Sequence, residues 1–377
     1  MTTTERGIPT MEDLRHLAGE SGASISILMG PHRAGSGTRP AAVRLRALLH
    51  DADAALAGSG KGEADRGVLL GPLEALLTDP DFNAGHHQSF ALFRNARTLA
   101  QYRLPWDAGD SMVVEGRFYV KPLVAPLGVA REFLLLALSR KRVRFFECDE
   151  QDCAPLPVAG GVPDQFEEFL ALNLSDYKHM GRSPGGQTFG LGAERDKMDR
   201  HFRDYCVALG RGVTAAVRER KLPLVVAGTG DETTAWREAN DENGMYGGTV
   251  EESPDGGLSE RELAAKARAV VAEWKPPEAV HALELYERLA GTARTTRDLN
   301  AIVAAAAAGR VEHLFFAPGA RVAGDYDRIV GHVRLSGEFV SRNDDLVNAA
   351  IADTLRNSGH AWGEVPEGGA AGAVLRY

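Results

Sequence analysis

A long stretch near the middle of the chain constrains the fold most. From Ala193 to Arg220 apolar residues recur at spacings of three and four, the period of one buried helix face. These residues are Met198, Phe202, Tyr205, Cys206, Leu209, Val213 and Val217. The apolar strand patterns "REFLLLALS" and "RVRFFEC" precede this helix, and "LPLVVAGTG" follows it. Two strands, a long helix and a further strand predict an α/β layer domain.

The first segment also mixes strands and helices. "ASISILMG" predicts a short strand, with Ile25, Ile27 and Met29 on one face, and "PAAVRLRALLHDADAAL" predicts a helix. "SFALFRN", "TLAQYRL" and "SMVVEGRFYV" predict a strand meander with polar turns. The two prolines of "KPLVAPLGV" predict a linker after it.

The third segment twice repeats a helix followed by a strand. In "TTRDLNAIVAAAAAGRVEHLFFAPG" we expect Thr295 or Thr296 to cap the helix and Gly309 to end it. "NDDLVNAAIADTLRNSGHAW" predicts a second helix followed by a strand, with Gly359 ending the helix. "AGAVLRY" predicts a last strand. The fold class expected is therefore α/β, with three domains. Their predicted bounds are 1–127, 128–276 and 277–377.

Composition excludes several classes of protein. The 377 residues carry a net charge of −9, which argues against a protein that coats DNA generally. "MTTTERGIPTMEDL" lacks the layout of a signal peptide, and "FLLLALS" is too short to span a membrane, so we expect a cytoplasmic location. Cys148, Cys153 and Cys206 are odd in number and lack metal-ligand spacing, which predicts reduced thiols. His86 and His87 read as a surface pair.

Two stretches resemble nucleotide-binding motifs but lack residues that those motifs require. At "AGSGKGE", a phosphate-binding loop would need its first glycine five residues before Gly60, where Ala55 stands, and Ser or Thr where Gly62 stands. "GLGAE" lacks the third glycine of a dinucleotide fingerprint. We therefore expect no metal and no cofactor.

The segment from Lys178 to Lys221 is the most basic part of this acidic chain. It holds ten Lys or Arg against five Asp or Glu, a net charge of +5, so the remainder carries −14. Positive charge concentrated around one glycine-rich loop, "KHMGRSPGGQTF", is what a phosphate backbone attracts. The alternative interpretation is a solvated helix face whose charges are partly paired.

The loop and its flanks resemble a known family. "KHMGRSPGGQ", the helix "ERDKMDRHFRDY" and the strand "LPLVVAG" are similar to the central domain of the class-1 translation termination factors of eukaryotes and archaea. That family has a Lys-His-Gly-Arg-Gly-Gly-Gln loop before a basic helix and a Leu-Val-Leu-Ala-Gly strand. In these motifs the chain is most similar to the bacterial homologues of archaeo-eukaryotic release factors and Pelota. The resemblance implies a central RNase H-like layer domain that carries the GGQ loop, and a final kink-turn-protein-like α/β/α sandwich.

The resemblance also implies a reaction, the hydrolysis of the ester between a peptide and the 3′ end of tRNA on the ribosome. Its catalytic residues would be Gly185, Gly186 and Gln187. A Gln amide is no base near neutral pH, so Gln187 can position water while its backbone N–H stabilises charge on the ester oxygen. Proton transfer would fall to the RNA. The RNA-binding residues expected from the basic segment are Lys178, His179, Arg182, Arg195, Lys197, Arg200 and Arg203.

Two departures from the family pattern leave alternatives open. Ser183 and Pro184 lengthen the neck of the loop, and "TRPAAVRLR" stands where the family has its Asn-Ile-Lys-Ser stop-codon motif. We expect a release or rescue factor that binds the ribosomal tRNA site and the peptidyl-transferase centre, and therefore tRNA and rRNA, without reading stop codons. Whether the C-terminal domain binds a protein partner stays open. The alternatives are a non-hydrolytic ribosome-occupancy (hibernation) factor and an RNA-binding module.

Overall fold

The computed structural model divides the chain into two compact units. Residues 1–128 and 281–377 together form the terminal unit, and residues 129–280 form the central unit. The division into three domains stays a prediction. The structure describes residues 2–31, 40–80, 82, 88–173, 191–240, 244–327, 331–337, 344–366 and 368–377, without the side chains of 2–6 and 191–195.

Helices and strands alternate along most of the chain, as the predicted α/β class requires. The helices are α1 (Met11–Gly19), α2 (Ala41–Gly58), α3 (Glu63–Glu74), α4 (Lys121–Leu127), α5 (Phe166–Asn173), α6 (Leu191–Arg220), α7 (Gly230–Ala239), α8 (Glu260–Val271), α9 (Pro277–Leu289), α10 (Leu299–Ala307) and α11 (Leu346–Arg356). The strands are β1 (Thr2–Arg6), β2 (Ser24–Met29), β3 (Ser89–Arg94), β4 (Thr98–Leu104), β5 (Ser111–Glu115), β6 (Phe133–Ala137), β7 (Arg144–Cys148), β8 (Cys153–Pro155), β9 (Leu224–Gly228), β10 (Tyr246–Glu251), β11 (Thr295–Thr296), β12 (Val311–Phe316), β13 (Ala323–Asp327), β14 (His332–Leu335), β15 (Asp344–Asp345), β16 (His360–Trp362) and β17 (Ala371–Leu375). Among these described helices, none combines the length and apolar character that a membrane span needs.

The central unit is built on a five-stranded sheet in the order β10-β9-β6-β7-β8. Strands β6, β7 and β8 are antiparallel neighbours, whereas β9 and β10 run parallel to β6. Numbered within the unit, this order is 5-4-1-2-3, the order of an RNase H-like sheet. Helices α5, α6 and α7 pack on one face through residues such as Phe166, Phe202 and Trp236. Helix α8 covers the other face through Leu263 and Ala267, which confirms the predicted layer domain.

The N-terminal sheet of the terminal unit has the order β1-β4-β3-β2-β5. Ile25, Ile27 and Met29 share a core with α2 and α3, as the alternation predicts. The meander prediction is wrong in one respect, because β5 pairs with β2 and not with its predecessor β4. The opposite face of the sheet, which includes Leu28 and Phe93, packs with α1, α4, α10 and α11.

The predicted linker "KPLVAPLGV" is instead helix α4. Pro122 lies in its first turn, where no backbone N–H is needed for the helix hydrogen bonds. Leu123 and Val124 are buried in the core of the terminal unit. Pro126 lies near the end of the helix, which stops one residue later.

The C-terminal sheet, β11-β17-β12-β16, has helices on both faces. On one face Tyr286 of α9 meets Phe315 edge to face, with ring centroids 5.5 Å apart. On the other face α10 and α11 share a core with Leu314 and Phe316. This arrangement confirms the predicted α/β/α sandwich.

The helix caps in this region differ from the prediction. Asp298, not Thr295 or Thr296, caps α10, because its carboxylate accepts the Asn300 N–H at 3.0 Å. Gly309 does follow the helix, with φ +69°. The local pattern therefore located the helix but not the residue that begins it.

Buried polar groups join the first and third segments inside the terminal unit. We call Glu115, Lys121, Asp345 and Asn348 the polar seam. Lys121 Nζ lies 2.7 Å from Asp345 Oδ2, and the two side chains are 1% and 0% exposed. Lys121 Nζ also donates to the Ala320 carbonyl. Both charges are thus paired away from water.

The other two residues of the polar seam complete the connection. Asn348 Oδ1 accepts the backbone N–H groups of Val120 and Lys121, and its Nδ2 donates to the Phe118 carbonyl at 3.1 Å. Glu115 Oε1 accepts the Asp345 N–H at 3.1 Å. Burial, and then the nearby Asp344 carboxylate, raise the pKa of Glu115 to about 8. Glu115 is therefore neutral at pH 7 in the folded chain.

The prediction of three reduced thiols is wrong for two of the cysteines. Cys148 and Cys153 form a disulfide across the β7–β8 hairpin. Cys206 is free and buried in α6. The odd count thus reflects one bonded pair and one core thiol.

Candidate functional site

Most of the predicted site lies outside the described residues. These residues are Gly185, Gly186, Gln187, Lys178, His179 and Arg182. The side chain of Arg195 is also outside them, although its backbone belongs to α6. His86 and His87 lie outside them as well. The described part of the site consists of α5, which ends at Asn173, and α6, which begins at Leu191.

An aromatic cluster joins α5 to α6. Phe166 of α5 contacts Phe202 and Tyr205 of α6, with ring centroids 5.2 and 5.5 Å apart. Phe169, one turn further along α5, lies 5.0 Å from the Tyr205 ring. Tyr205 Oη donates a 2.6 Å hydrogen bond to the Pro163 carbonyl. Burial raises the pKa of this phenol, so it remains a neutral donor.

Arg140, just after β6, contacts the same cluster from the sheet side. Its guanidinium lies 4.9 Å from the centre of the Phe202 ring, and its Nη2 lies 2.5 Å from Asp199 Oδ1. Its backbone N–H donates to Glu232 Oε1 of α7 at 3.1 Å. Helix α6 is therefore held to α5 by aromatic packing and to Arg140 by charge as well as by the ring contact.

Two glycines let other segments approach α6 closely. A Cβ at Gly210 would lie 1.6 Å from Asn240 Oδ1, and a Cβ at Gly212 would lie 2.2 Å from the Ala159 carbonyl oxygen. Glycine inside a helix is destabilising by about 0.5–1 kcal/mol relative to alanine. The close approach explains why glycine occupies both positions despite that penalty.

The opposite side of α6 is exposed and basic. Lys197, Arg200 and Arg203 are all exposed, and Arg203 lies 3.7 Å from Glu238. Arg211 and Arg218 are exposed further along the same helix. Because α6 turns 100° per residue, Arg200, Arg211 and Arg218 return to within about 20° of one line and span about 27 Å of its axis. We call these three the arginine line.

Charge pairing separates the arginine line from other arginines of the central unit. Within the described ranges, no member of the arginine line has an ion-pair partner. By contrast, Arg220 of the same helix lies 2.6 Å from Glu147 Oε2. The alternative of a helix face with paired charges therefore fits Arg203 and Arg220 but not the arginine line.

The described groups around this site supply binding and positioning. Asp199 pairs with Arg140, and Glu232 Oε2 accepts the Thr229 N–H at 2.9 Å at the start of α7. Burial raises the pKa of the Cys206 thiol to about 12, so it stays protonated. The exposed cations of α6 can hold a phosphate-bearing ligand, whereas the Tyr205 phenol and the Cys206 thiol are protonated and buried in the core. They do not activate water.

Arg211 and Arg218 belong to the predicted basic segment but are not among the predicted RNA-binding residues. The signal was present, because positions 200, 211 and 218 share one helix face at 3.6 residues per turn. Sequence alone does not show which cations pair with acids on neighbouring elements.

A protein-family model matches the region that contains this site. Residues 132–310 match the family described as bacterial archaeo-eukaryotic release factor family 3. The match encloses the whole sheet of the central unit, α5, α6 and residues 174–190. No curated protein matches the chain.

Several solved structures match over most of their length. The archaeal translation termination factor aRF1 is 13% identical, with 97% of this chain and 96% of that chain covered and a TM-score of 0.24. Ribosome-bound archaeal Pelota, from a structure with ABCE1, is 12% identical, with 98% and 94% covered and a TM-score of 0.33. Dom34 of S. cerevisiae is 9% identical, with 79% and 83% covered and a TM-score of 0.33. Identities and TM-scores this low say nothing about the function of this chain.

Proposed function

Because the chain is a homologue of the bacterial archaeo-eukaryotic release factors over residues 132–310, we propose that it is a ribosome-binding factor of the release or rescue type. The single observation that carries this proposal is that the family match encloses both the basic helix α6 and the "GGQ" segment before it. The arginine line gives the proposal its physical form, because exposed cations on one face of a rigid helix suit an RNA backbone.

The proposed reaction is hydrolysis of peptidyl-tRNA in the peptidyl-transferase centre. Gly185 and Gly186 allow the backbone to approach the terminal adenosine closely, which a Cβ would hinder. The Gln187 amide positions water, and its backbone N–H stabilises charge on the ester oxygen. The ribosome supplies most of the site and the RNA takes the proton, so catalysis occurs by positioning.

RNA contact is proposed to extend from the loop onto α6. Lys178, His179, Arg182 and Arg195 would bind next to the tripeptide. Lys197, Arg200 and Arg203, all exposed, would continue the contact along the helix. Stop-codon reading is not part of the proposal, since "TRPAAVRLR" lacks the decoding motif of the family. A protein partner of the C-terminal segment remains a prediction.

The experiment that tests the proposal is single-turnover peptide release. Ribosome complexes that carry labelled peptidyl-tRNA and a stop, sense or empty codon are mixed with saturating factor. We expect release on at least one complex, with less than about a tenfold preference for the stop codon, a difference of about 1.4 kcal/mol. Rapid hydrolysis of free peptidyl-tRNA would contradict catalysis by positioning, because that reaction requires a base in this chain.

Ser183 and Pro184 favour one other function. These residues lengthen the neck of the loop relative to the family pattern, which could remove hydrolysis while leaving binding intact. The chain would then occupy the ribosome without releasing peptide. Salt-sensitive co-sedimentation with ribosomes, without release on any complex, would select this function over the first. Absence of co-sedimentation at low salt would contradict both.

A further inference from the structure

The β7–β8 hairpin carries two cysteines that differ in their access to solvent. Cys148 and Cys153 are register partners on these antiparallel strands, and their sulfurs are bonded. Cys148 is 1% exposed and belongs to a core with Phe133 and Val225. Cys153 is partly exposed at the edge of the same core. A reagent from solvent therefore reaches Cys153 and not Cys148.

A guanidinium contacts the accessible sulfur. Arg268 of α8 donates from Nε to the Asp149 carbonyl at 2.7 Å and from Nη2 to the Asp152 carbonyl at 3.3 Å. The same Nη2 lies 4.0 Å from Cys153 Sγ. These hydrogen bonds fix the cation beside the sulfur, where it favours the thiolate over the thiol once the bond is reduced.

Acidic residues at the hairpin tip oppose the stabilisation of the Cys153 thiolate by Arg268 only in part. The Asp149 carboxylate accepts the backbone N–H groups of Gln151 and Asp152, both at 2.7 Å. Glu150 lies 3.0 Å from Arg131 Nε. Asp149 and Glu150 are thus bonded to other groups, and the Arg268 cation acts on the Asp149 carboxylate as well as contacting the sulfur.

We propose that Cys148 and Cys153 form a reversible dithiol–disulfide site for small-molecule thiols, with Cys153 as the reacting sulfur and Cys148 as the resolving sulfur. In oxidation, the Cys153 thiolate attacks one sulfur of a glutathione disulfide and expels one glutathione thiolate. Cys148 then gives up its proton, attacks Cys153 Sγ and expels the second glutathione thiolate. Two glutathione thiols reverse these steps and leave as the disulfide, so atoms and electrons balance.

The bond also holds the edge of the central sheet. Strand β8 has only three residues, and beyond it the Leu156 N–H still donates to the Phe145 carbonyl at 2.8 Å. Residues 155–158 then line a cleft of about 400 Å³ together with Val162 and Leu209. Breaking the disulfide removes the covalent link between β8 and β7, while the ladder hydrogen bonds, the core packing of Cys153 and the Arg268 contacts remain. The backbone N–H groups of Cys153, Ala154 and Leu156 should therefore exchange with solvent faster in the reduced chain.

A redox titration of the isolated full-length chain tests the proposal without ribosomes, so its outcome is independent of the release assay. The chain is equilibrated with mixtures of reduced and oxidised glutathione, quenched with acid, and alkylated in denaturant. Intact mass then reports one adduct for the disulfide form and three for the dithiol form. We expect the two forms to interconvert, with the dithiol dominant at about a hundredfold excess of reduced glutathione.

Two results of this titration would overturn the proposal. Three adducts in every mixture would mean that the cysteines do not pair. One adduct even in excess reduced glutathione would mean a permanent structural disulfide. Unchanged hydrogen exchange at Cys153, Ala154 and Leu156 between the two forms would remove the proposed link to β8.

The role of Arg268 is tested by alkylation of the reduced native chain. In Arg268→Ala, iodoacetamide should modify Cys153 about fivefold to tenfold more slowly at pH 7, and the midpoint of the pH–rate profile should rise. The control is Arg261→Ala, an exposed arginine two turns earlier on α8, which should leave both unchanged. If Arg268 only held the hairpin together, its loss would instead expose Cys153 and accelerate the reaction.

Discussion

The two units of this protein use positive charge in opposite ways. In the terminal unit, Lys121 is 1% exposed and its charge is fully paired with Asp345. In the central unit, the arginine line on α6 is exposed and unpaired within the described ranges. When one partner of a buried ion pair is removed, the remaining charge has neither water nor a counter-ion around it. An exposed charge, by contrast, remains hydrated. The buried Lys121–Asp345 pair therefore stabilises the fold, whereas the exposed arginine line is available to bind a ligand.

The largest effect expected in the central unit is on activity and not on folding. Gly186→Ala should reduce peptide release below about one thousandth of the wild-type rate, because the added methyl blocks close backbone approach or a positive φ. Gln187→Ala, which keeps its backbone N–H, should lose about tenfold to a thousandfold. Single-turnover release at saturating factor measures both. Co-sedimentation with ribosomes is the control, and a comparable loss of binding by Gly186→Ala would contradict the assignment.

Breaking the polar seam should produce the largest effect on stability. Lys121→Met leaves the Asp345 carboxylate buried and unpaired, so the free energy of unfolding should fall by about 3–5 kcal/mol. Denaturant unfolding of the full chain at pH 7 measures it. Lys121→Met combined with Asp345→Asn should recover part of the loss. Lys61→Met, at an exposed lysine of the same unit, should change stability by less than about 0.5 kcal/mol.

The polar seam should also make the terminal unit sensitive to pH. The pKa of Glu115 is raised from 4.5 to about 8, so between these values the folded chain binds a proton that the unfolded chain has released. Stability should therefore fall as pH rises from about 5 to 8, by up to about 4 kcal/mol, and level off above pH 8. Thermal unfolding across this range should show the slope in the wild type and lose most of it in Glu115→Gln. An equal slope in both chains would show that other groups cause it.

The smallest effect expected is on affinity. Replacing the arginine line by alanine should weaken ribosome binding by about tenfold to a hundredfold and lower the slope of log affinity against log salt by about two to three. Co-sedimentation over a salt series measures both. The matched control replaces three ion-paired arginines of the same unit, Arg142, Arg144 and Arg220, which changes the net charge equally. Equal weakening by the control would mean that overall charge, and not this line, attracts the ribosome.

Local pattern was sufficient for most of the helices and strands. The apolar period between Ala193 and Arg220 predicts α6, and its predicted core residues from Phe202 to Val217 are buried. "LPLVVAG" predicts β9, and "AGAVLRY" predicts β17. Such patterns succeed because burial of one face is a property of the segment itself.

Prediction failed where a local signal had two meanings. The prolines of "KPLVAPLGV" suggested a break, but a proline in the first turn of a helix removes no hydrogen bond, so α4 forms there. Helix α3 begins at Glu63, inside the polar, glycine-rich stretch "SGKGEADRG", and includes Gly67. Core contacts of Leu69, Leu70 and Leu73 stabilise that helix, and they are set by tertiary packing.

The sequence by itself determined the α/β class, the long basic helix and the motif that precedes it. Tertiary structure decided which charges are buried and which are available. Lys121 and Asp345 are separated by 224 residues, so no window of the sequence could pair them. Cys148 and Cys153 needed the β7–β8 register to meet. Among the described residues the arginine line is unpaired because of where the fold places the neighbouring elements. Periodicity is encoded within one segment, but the partner of a charge or a thiol depends on where the fold brings distant segments together.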